Sequence, residues 1–121
     1  MRIFTGLKMR RVCVMSSLVW RFHLIITSSD EGALSNAISR VINEKGSIDG
    51  LILNAGTLDP LGRIDSPENN LDSWKAHFDV NFFSLISAVK ASLPELRKSS
   101  HGGRVVFVSS GAAVGGTEGW G

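Results

Sequence analysis

Two short polar stretches and one isolated amide are the residues of this sequence that could build a binding or catalytic site. Asn54, Ala55 and Gly56 follow an apolar run of the kind that forms a buried strand, and Ser110 follows a second such run. Small residues let a ligand approach the backbone closely, and side-chain amides and hydroxyls can hold its polar atoms. Asn81 supplies a further amide within a long helical pattern. These residues predict a site that positions a polar ligand by hydrogen bonds.

Other kinds of chemistry are excluded by residue types that the sequence lacks. It contains no tyrosine, so no phenol among these residues can act as a general acid or base. The one cysteine, Cys13, cannot form an internal disulfide, and neither CxxC nor HExxH occurs. Because the three histidines also lie far apart, no metal site is predicted. Asp65, Glu68 and Asp72 fit a solvated loop and helix start better than a pair of catalytic acids.

Composition and charge place the chain among globular proteins. Its 121 residues are 43% hydrophobic and 20% charged, which is typical of one domain. Five basic residues and no acid precede Asp30, whereas eight basic and eleven acidic residues follow from there. Because no recognition motif accompanies the basic segment, we expect no nucleic-acid partner. The apolar stretch at 12–20 lacks a clear cleavage site and is too short to span a bilayer, so we expect an irregular or strand-forming start and no membrane association.

The elements that must position the candidate residues alternate between strands and helices. In chain order, the pattern predicts a strand at 20–27, a helix from 28 to 46, a strand at 51–53, a loop at 57–70, a helix at 71–98 and a strand at 104–108. Ser28 and Glu31 form a capping box for the first helix, and Gly46 is placed to end it. Pro94 is expected to kink or break the second helix. This alternation predicts an α/β fold with a parallel sheet flanked by helices.

Both polar stretches fall at the position where such a fold binds ligands. In an open parallel sheet the ligand crevice lies beyond the carboxyl ends of the strands, and residues 54–56 and 109–111 follow two of those ends. In the long helix, Trp74, Phe78 and Phe82 form a stripe that predicts core packing or a subunit contact. His77, beside this stripe, is predicted to be a surface or packing residue.

Taken together, the Asn-Ala-Gly motif, Asn81 and the serine pair after the last strand resemble the short-chain dehydrogenase/reductase family. The resemblance implies an oxidoreductase that transfers hydride between NAD or NADP and a small carbonyl or alcohol substrate. It implies that residues 54–56 line the cofactor site and that Asn81 helps to organise a proton relay. Ser110 is the better match to the catalytic serine, with Ser109 as the alternate. The pattern Asn-Ala-Gly-x-Leu-x-Pro and the late Trp120 resemble the sepiapterin- or benzil-reductase-like branch.

The resemblance extends over the middle of the family fold. Residues 21–121 match the central part of a Rossmann-fold NAD(P)-binding domain, and residues 1–20 lie outside it. The first βα unit, with its glycine-rich turn for the cofactor pyrophosphate, is missing, and so is the carboxyl-terminal part. Ile25 stands where the family usually has an aspartate that contacts the adenine. The family's catalytic tyrosine and lysine would come just beyond Gly121.

These departures leave three hypotheses for function. The first is an NAD(P)-dependent oxidoreductase, truncated and inactive by itself. The second is a non-catalytic fragment that pairs with an intact relative, and the third is an incomplete gene model without function. The resemblance also implies a cytoplasmic protein and a homo-oligomer formed through the helix at 71–98.

The strand order of the family carries an expectation for the sheet. Residues 51–53 should pair in parallel with residues 104–108. Without the family's first two strands, residues 20–27 must leave their family position, and Arg11–Met15 is the candidate partner.

Overall fold

The computed structural model describes residues 11–15, 21–25, 31–67 and 69–117. The capping role expected of Ser28, the loop role of Glu68 and the late Trp120 lie outside these residues. The elements in chain order are β1 (Arg11–Met15), β2 (Arg21–Ile25), α1 (Glu31–Lys45), β3 (Gly50–Leu53), α2 (Leu71–Phe78), a π-helix (Asp79–Phe83), α3 (Ser84–Leu96), β4 (Arg104–Phe107) and a short 3-10 helix (Gly111–Ala113).

The four strands form one sheet in the order β2-β1-β3-β4. β3 and β4 pair in parallel, with Leu51 opposite Val105 and Leu53 opposite Phe107, as predicted. β2 pairs with β1, which confirms the partner expected for it. β1 is antiparallel to both of its neighbours, so β2, β3 and β4 all run in one direction.

The sheet therefore departs from an all-parallel arrangement at one strand. β1 belongs to the segment expected to be irregular or strand-forming, and it lies between β2 and β3. Only residues 16–20 separate β1 from β2, and a parallel pairing needs a crossover of about a dozen residues or more. Adjacent pairing of these two strands must accordingly be antiparallel.

Helix α1 buries its apolar stripe in the core beside α3, and the burial of this stripe is what its periodicity predicts. Leu34, Ile38 and Val41 are buried at spacings of three and four residues. Gly46 ends the helix with a φ of 82°, and its N–H donates to the carbonyl of Ile42 at 2.7 Å. The buried core consists of residues from α1, β3, α3 and the turn before β3, namely Leu34, Ile38, Val41, Ile48, Leu51, Leu53, Ala88 and Leu96.

The long helix expected at 71–98 is interrupted, but not at Pro94. The π-helix separates α2 from α3, whereas α3 continues through Pro94 to Leu96. Pro94 lies in the last turn of α3, where its ring removes one hydrogen bond, to the carbonyl of the exposed Lys90. The π-helix inserts an extra residue into a turn and is a feature often found at functional sites. Its central residue is Asn81.

Candidate functional site

Asn81 joins the interrupted helix to the loop that follows β3. Its Oδ1 accepts a hydrogen bond from the Thr57 N–H at 2.8 Å, and its Nδ2 donates to the Thr57 carbonyl at 2.8 Å. The amide thus satisfies both backbone groups of one loop residue, which lies 24 positions away in the sequence. Thr57 directly follows Gly56, so Asn81 fixes the end of the Asn-Ala-Gly segment.

His77 extends this connection to a second point of the same loop. Its Nδ1 lies 2.8 Å from the Asp59 carbonyl, and Asn81 Nδ2 lies near both ring nitrogens, 2.8 Å from Nε2 and 3.3 Å from Nδ1. A carbonyl can only accept, so Nδ1 carries the hydrogen, and Nε2 accepts from the amide. The prediction that His77 is a surface or packing residue did not include these bonds. The one sequence signal that could have found them is the i, i+4 spacing of His77 and Asn81.

The Asn-Ala-Gly segment lies open at the carboxyl end of β3. Leu53 is 1% exposed, whereas Asn54 and Gly56 are exposed and Ala55 is partly buried. Within the described part of the chain, the Asn54 side chain makes no hydrogen bond. A Cβ added at Gly56 would stand 3.5 Å from Asn81 Oδ1, an ordinary contact distance. Gly56 therefore leaves this edge of the sheet open, but a side chain at this position would not clash with Asn81.

Ser110 lies beyond the neighbouring strand β4, at the same edge of the sheet. The pairing of the two strands continues one residue past β4, because the Val108 N–H donates to the Leu53 carbonyl at 2.9 Å. Ser110 is exposed and extended, and its Oγ accepts from the Ala112 N–H at 3.3 Å as the cap of the 3-10 helix. Because Oγ accepts in this bond, its own hydrogen is free to be donated.

The structure therefore brings the sequence-predicted residues to one edge in two groups. Asn81 and the segment 54–57 form one hydrogen-bonded group, together with His77. Ser110 belongs to a second group, whose hydrogen bonds join residues 110–114. Ser109, the alternate serine, is also exposed. Among the described residues, no cluster of three or more histidine, cysteine or acidic side chains could hold a metal ion.

The outer face of α2 and the π-helix carries a shallow apolar groove. Its volume is about 640 Å³, and it is lined by Leu71, Trp74, Lys75, Ala76, Phe78, Asp79 and Phe83. The predicted aromatic stripe is thus not core: Phe78 and Phe82 are each 52% exposed. No helix in the described part of the chain is long and apolar enough to cross a membrane.

Comparison with known proteins gives a consistent result. The sequence pattern described as short chain dehydrogenase matches residues 19–121. The benzil reductase ((S)-benzoin forming) IRC24 of Saccharomyces cerevisiae is 37% identical over 98 residues, which are 79% of this chain and 37% of that protein.

Three solved structures share the fold. The short chain dehydrogenase/reductase YIR035C of Saccharomyces cerevisiae has a TM-score of 0.73 at 35% identity, over 83% of this chain and 38% of that one. A cytoplasmic protein of unknown function from Saccharomyces cerevisiae has a TM-score of 0.62 at 34% identity, over 78% and 37%. A short chain dehydrogenase of Shigella flexneri, in complex with NADP, has a TM-score of 0.68 at 27% identity, over 83% and 41%.

This chain thus spans little more than a third of the length of each of these proteins. The family pattern nevertheless covers the Asn-Ala-Gly segment, the helix asparagine and the serine pair. The chain belongs to the short chain dehydrogenase family.

Proposed function

We propose that residues 21–121 are the central part of the Rossmann-fold domain of an NAD(P)-dependent oxidoreductase, which transfers hydride between nicotinamide and a carbonyl or alcohol carbon. One observation carries this proposal. Two adjacent parallel strands, β3 and β4, end at the same edge in exposed polar and small residues. That edge is where open α/β sheets bind their ligands.

The residues at this edge fit a nicotinamide cofactor. Asn54 offers an exposed side-chain amide without a partner in the described part of the chain, and Ala55 and Gly56 present little bulk beside it. Asn54, Ala55 and Gly56 would hold the cofactor, which when bound would supply or accept the hydride. The complex of the Shigella relative with NADP supports the same cofactor class here.

Ser110 would hold the substrate oxygen. Its hydroxyl accepts from the Ala112 N–H, so the hydroxyl hydrogen can be donated to a carbonyl oxygen at the open edge. Donation to an oxygen on which negative charge develops is the kind of contact that stabilises a transition state. Ser109 precedes it by one residue and in an extended segment would face the opposite direction.

Asn81 serves this site by positioning rather than by donating to the substrate. Both hydrogens of its Nδ2 are already used, one by the Thr57 carbonyl and one by His77 Nε2. The amide therefore has no further hydrogen to give. Its contribution to a proton relay would pass through the loop that it holds.

We further propose that the 121 residues are inactive by themselves, because none of them is a tyrosine. Ser110 can hold an oxygen but cannot supply the proton at neutral pH, and general acid–base catalysis contributes about 10²- to 10⁴-fold. Purified chain should not oxidise NADPH or NADH in the presence of dicarbonyl or aldehyde substrates.

A chimera tests the assignment. Residues 21–117 would replace the matching part of a full-length yeast relative, and NADPH-dependent reduction of a dicarbonyl would be measured. We expect activity that falls by about 10²-fold or more in Ser110→Ala and by less than threefold in Ser109→Ala. Equal losses in both variants, or turnover that is unaffected by Ser110→Ala, would contradict the role of Ser110.

A second candidate function is a non-catalytic fragment that pairs with an intact relative or with a second copy. It is favoured by the exposed apolar side chains of two surfaces. Phe107 and Val108 are more than half exposed at the end of β4, and Phe78, Phe82 and Phe83 are more than half exposed on the long helix. Such surfaces are typical of interaction sites.

Sedimentation distinguishes the candidates. The pairing hypothesis predicts an oligomer of the chain alone, or a stable complex when an intact relative is added. A cooperative monomer that does not bind the relative would contradict it.

We also propose a cytoplasmic location, on the likeness to the cytoplasmic yeast protein.

A further inference from the structure

We propose that His77 is a positioning residue of this site: in its Nδ1–H form it fixes the Asn81 amide, and the two residues together hold the loop after β3. The importance of that loop for cofactor binding rests on the proposed function. The hydrogen-bond arrangement itself does not.

Asn81 Nδ2 lies 2.8 Å from Nε2 and 3.3 Å from Nδ1 of His77, and with the hydrogen on Nδ1 only Nε2 has a lone pair to accept from it. His77 Nδ1–H donates to the Asp59 carbonyl, and Nε2 accepts from Asn81 Nδ2. The second hydrogen of Nδ2 goes to the Thr57 carbonyl, and Asn81 Oδ1 accepts from the Thr57 N–H. Reversing either the imidazole tautomer or the amide would set donor against donor, so each residue determines the orientation of the other.

The two side chains hold the loop at separate points. Asn81 binds Thr57 and His77 binds Asp59, so the exposed Leu58 between them is bracketed. A brace of this kind restricts the loop more than one contact would, because rotation about the first attachment is blocked by the second.

Neighbouring rings restrict the imidazole. The ring centroids of Trp74 and Phe78 lie 6.1 Å and 6.0 Å from that of His77, on either side of it in the sequence. The ring is thus bordered by two aromatic groups, while its two nitrogens are both engaged. The one lone pair of the neutral ring, on Nε2, faces the Asn81 amide, which has no acidic proton to give, so this arrangement suits positioning and not general-base catalysis.

Two substitutions divide the functions of the two ring nitrogens. In His77→Asn the side-chain amide can replace Nδ1 and keep the bond to Asp59, but it cannot reach Asn81. In His77→Gln the amide reaches the position of Nε2, where its oxygen can accept from Asn81. His77→Leu removes both bonds at similar volume.

The readout is hydrogen exchange of the loop peptide that contains Thr57, measured by mass spectrometry on the whole chain. We expect His77→Gln, which loses only the bond to Asp59, to exchange about twofold faster than the wild type, and His77→Asn about fivefold faster, the change for one hydrogen bond of ordinary net strength; His77→Leu, which loses both bonds, should exchange faster than either. The Val108 N–H, bonded to Leu53, reports whether the sheet is intact. His101→Gln is the matched control, since His101 lies before β4, away from this loop.

Exchange in His77→Asn as slow as in the wild type would overturn the proposal, because the bond to Asn81 would then contribute nothing. Exchange like the wild type in all three variants would do so as well. The measurement uses no cofactor. A failure here is therefore distinguishable from a failure of the Ser110 chimera, which tests the proposed function.

Discussion

Replacing Asn81 with aspartate exchanges the two N–H donors of Nδ2 for an oxygen that can only accept hydrogen bonds, and it changes the side-chain volume very little. The carboxylate can still accept from the Thr57 N–H, and this bond becomes charge-assisted. The oxygen that takes the place of Nδ2 faces two acceptors, the Thr57 carbonyl and His77 Nε2, each at 2.8 Å in the native protein. The contact with the Thr57 carbonyl becomes repulsive, and the neutral imidazole can face the new oxygen favourably only by moving its hydrogen to Nε2, which removes its bond to Asp59.

The expected loss follows from these contacts. Two hydrogen bonds at about 1 kcal/mol each are removed, and the half-buried Thr57 carbonyl is left without its donor. The stronger bond to the Thr57 N–H offsets part of this. We expect Asn81→Asp to lower the free energy of unfolding by about 2 kcal/mol, which for a chain of this size moves the urea midpoint by roughly 1 M.

Asn69→Asp is the matched control. Asn69 also uses its Nδ2 to bind a backbone carbonyl, that of Arg63 at 2.8 Å, but in an exposed loop and with no second acceptor among the described residues. This variant should shift unfolding by less than about 0.5 kcal/mol. Far-UV circular dichroism in urea measures both. If the midpoint of Asn81→Asp moves no further than that of Asn69→Asp, the bonds of Asn81 to Thr57 and His77 do not contribute to stability.

Two further predictions concern the scaffold. Leu53→Ala should destabilise the fold by about 2–5 kcal/mol, because Leu53 is 1% exposed in the core, whereas Leu61→Ala, at a position 54% exposed, should cost less than about 0.5 kcal/mol in the same urea titration. Gly46→Ala should cost about 1–2 kcal/mol, because φ is 82° there, and Gly111→Ala, with open space around its Cβ position and no left-handed φ, should be nearly neutral; comparable thermal midpoints for the two would contradict this.

The parts of the fold that could be predicted are those that depend on the residue pattern of a single segment. The stripe of Leu34, Ile38 and Val41 and the glycine at 46 predict a helix from 28 to 46, and α1 ends within one residue of that prediction, at Lys45, whereas residues 28–30 lie outside the described part of the chain. The apolar runs at 51–53 and 104–108 define the parallel pair. The helical period and the unbroken apolar runs are each a property of one segment and can be recognised without a distant partner, whereas the pairing of the two strands was expected from the family resemblance.

The parts that could not be predicted depend on distant partners. A π-helix shifts the helical pattern by only one residue, and an amphipathic stripe tolerates such a shift. The sequence therefore gives no clear signal for the break at Asn81, whereas Pro94 is a conspicuous helix breaker. The bonds between Asn81 and Thr57 join a side chain to backbone atoms, and backbone atoms are the same in every residue. Only the three-dimensional path of the loop reveals them.

The insertion of β1 between β2 and β3 also separates contacts by how quickly they can form. Val12 pairs with Leu24, 12 positions along the chain, but also with Leu53, 41 positions along. Closing the shorter loop costs less conformational entropy, so the β1–β2 hairpin is expected to form before it joins the rest of the sheet. The sheet then assembles from two units, a local hairpin and the unit of α1, β3, α3 and β4. β2 reaches the second unit only through β1, so the edge of the molecule depends on a docking step that the core around Leu53 does not require.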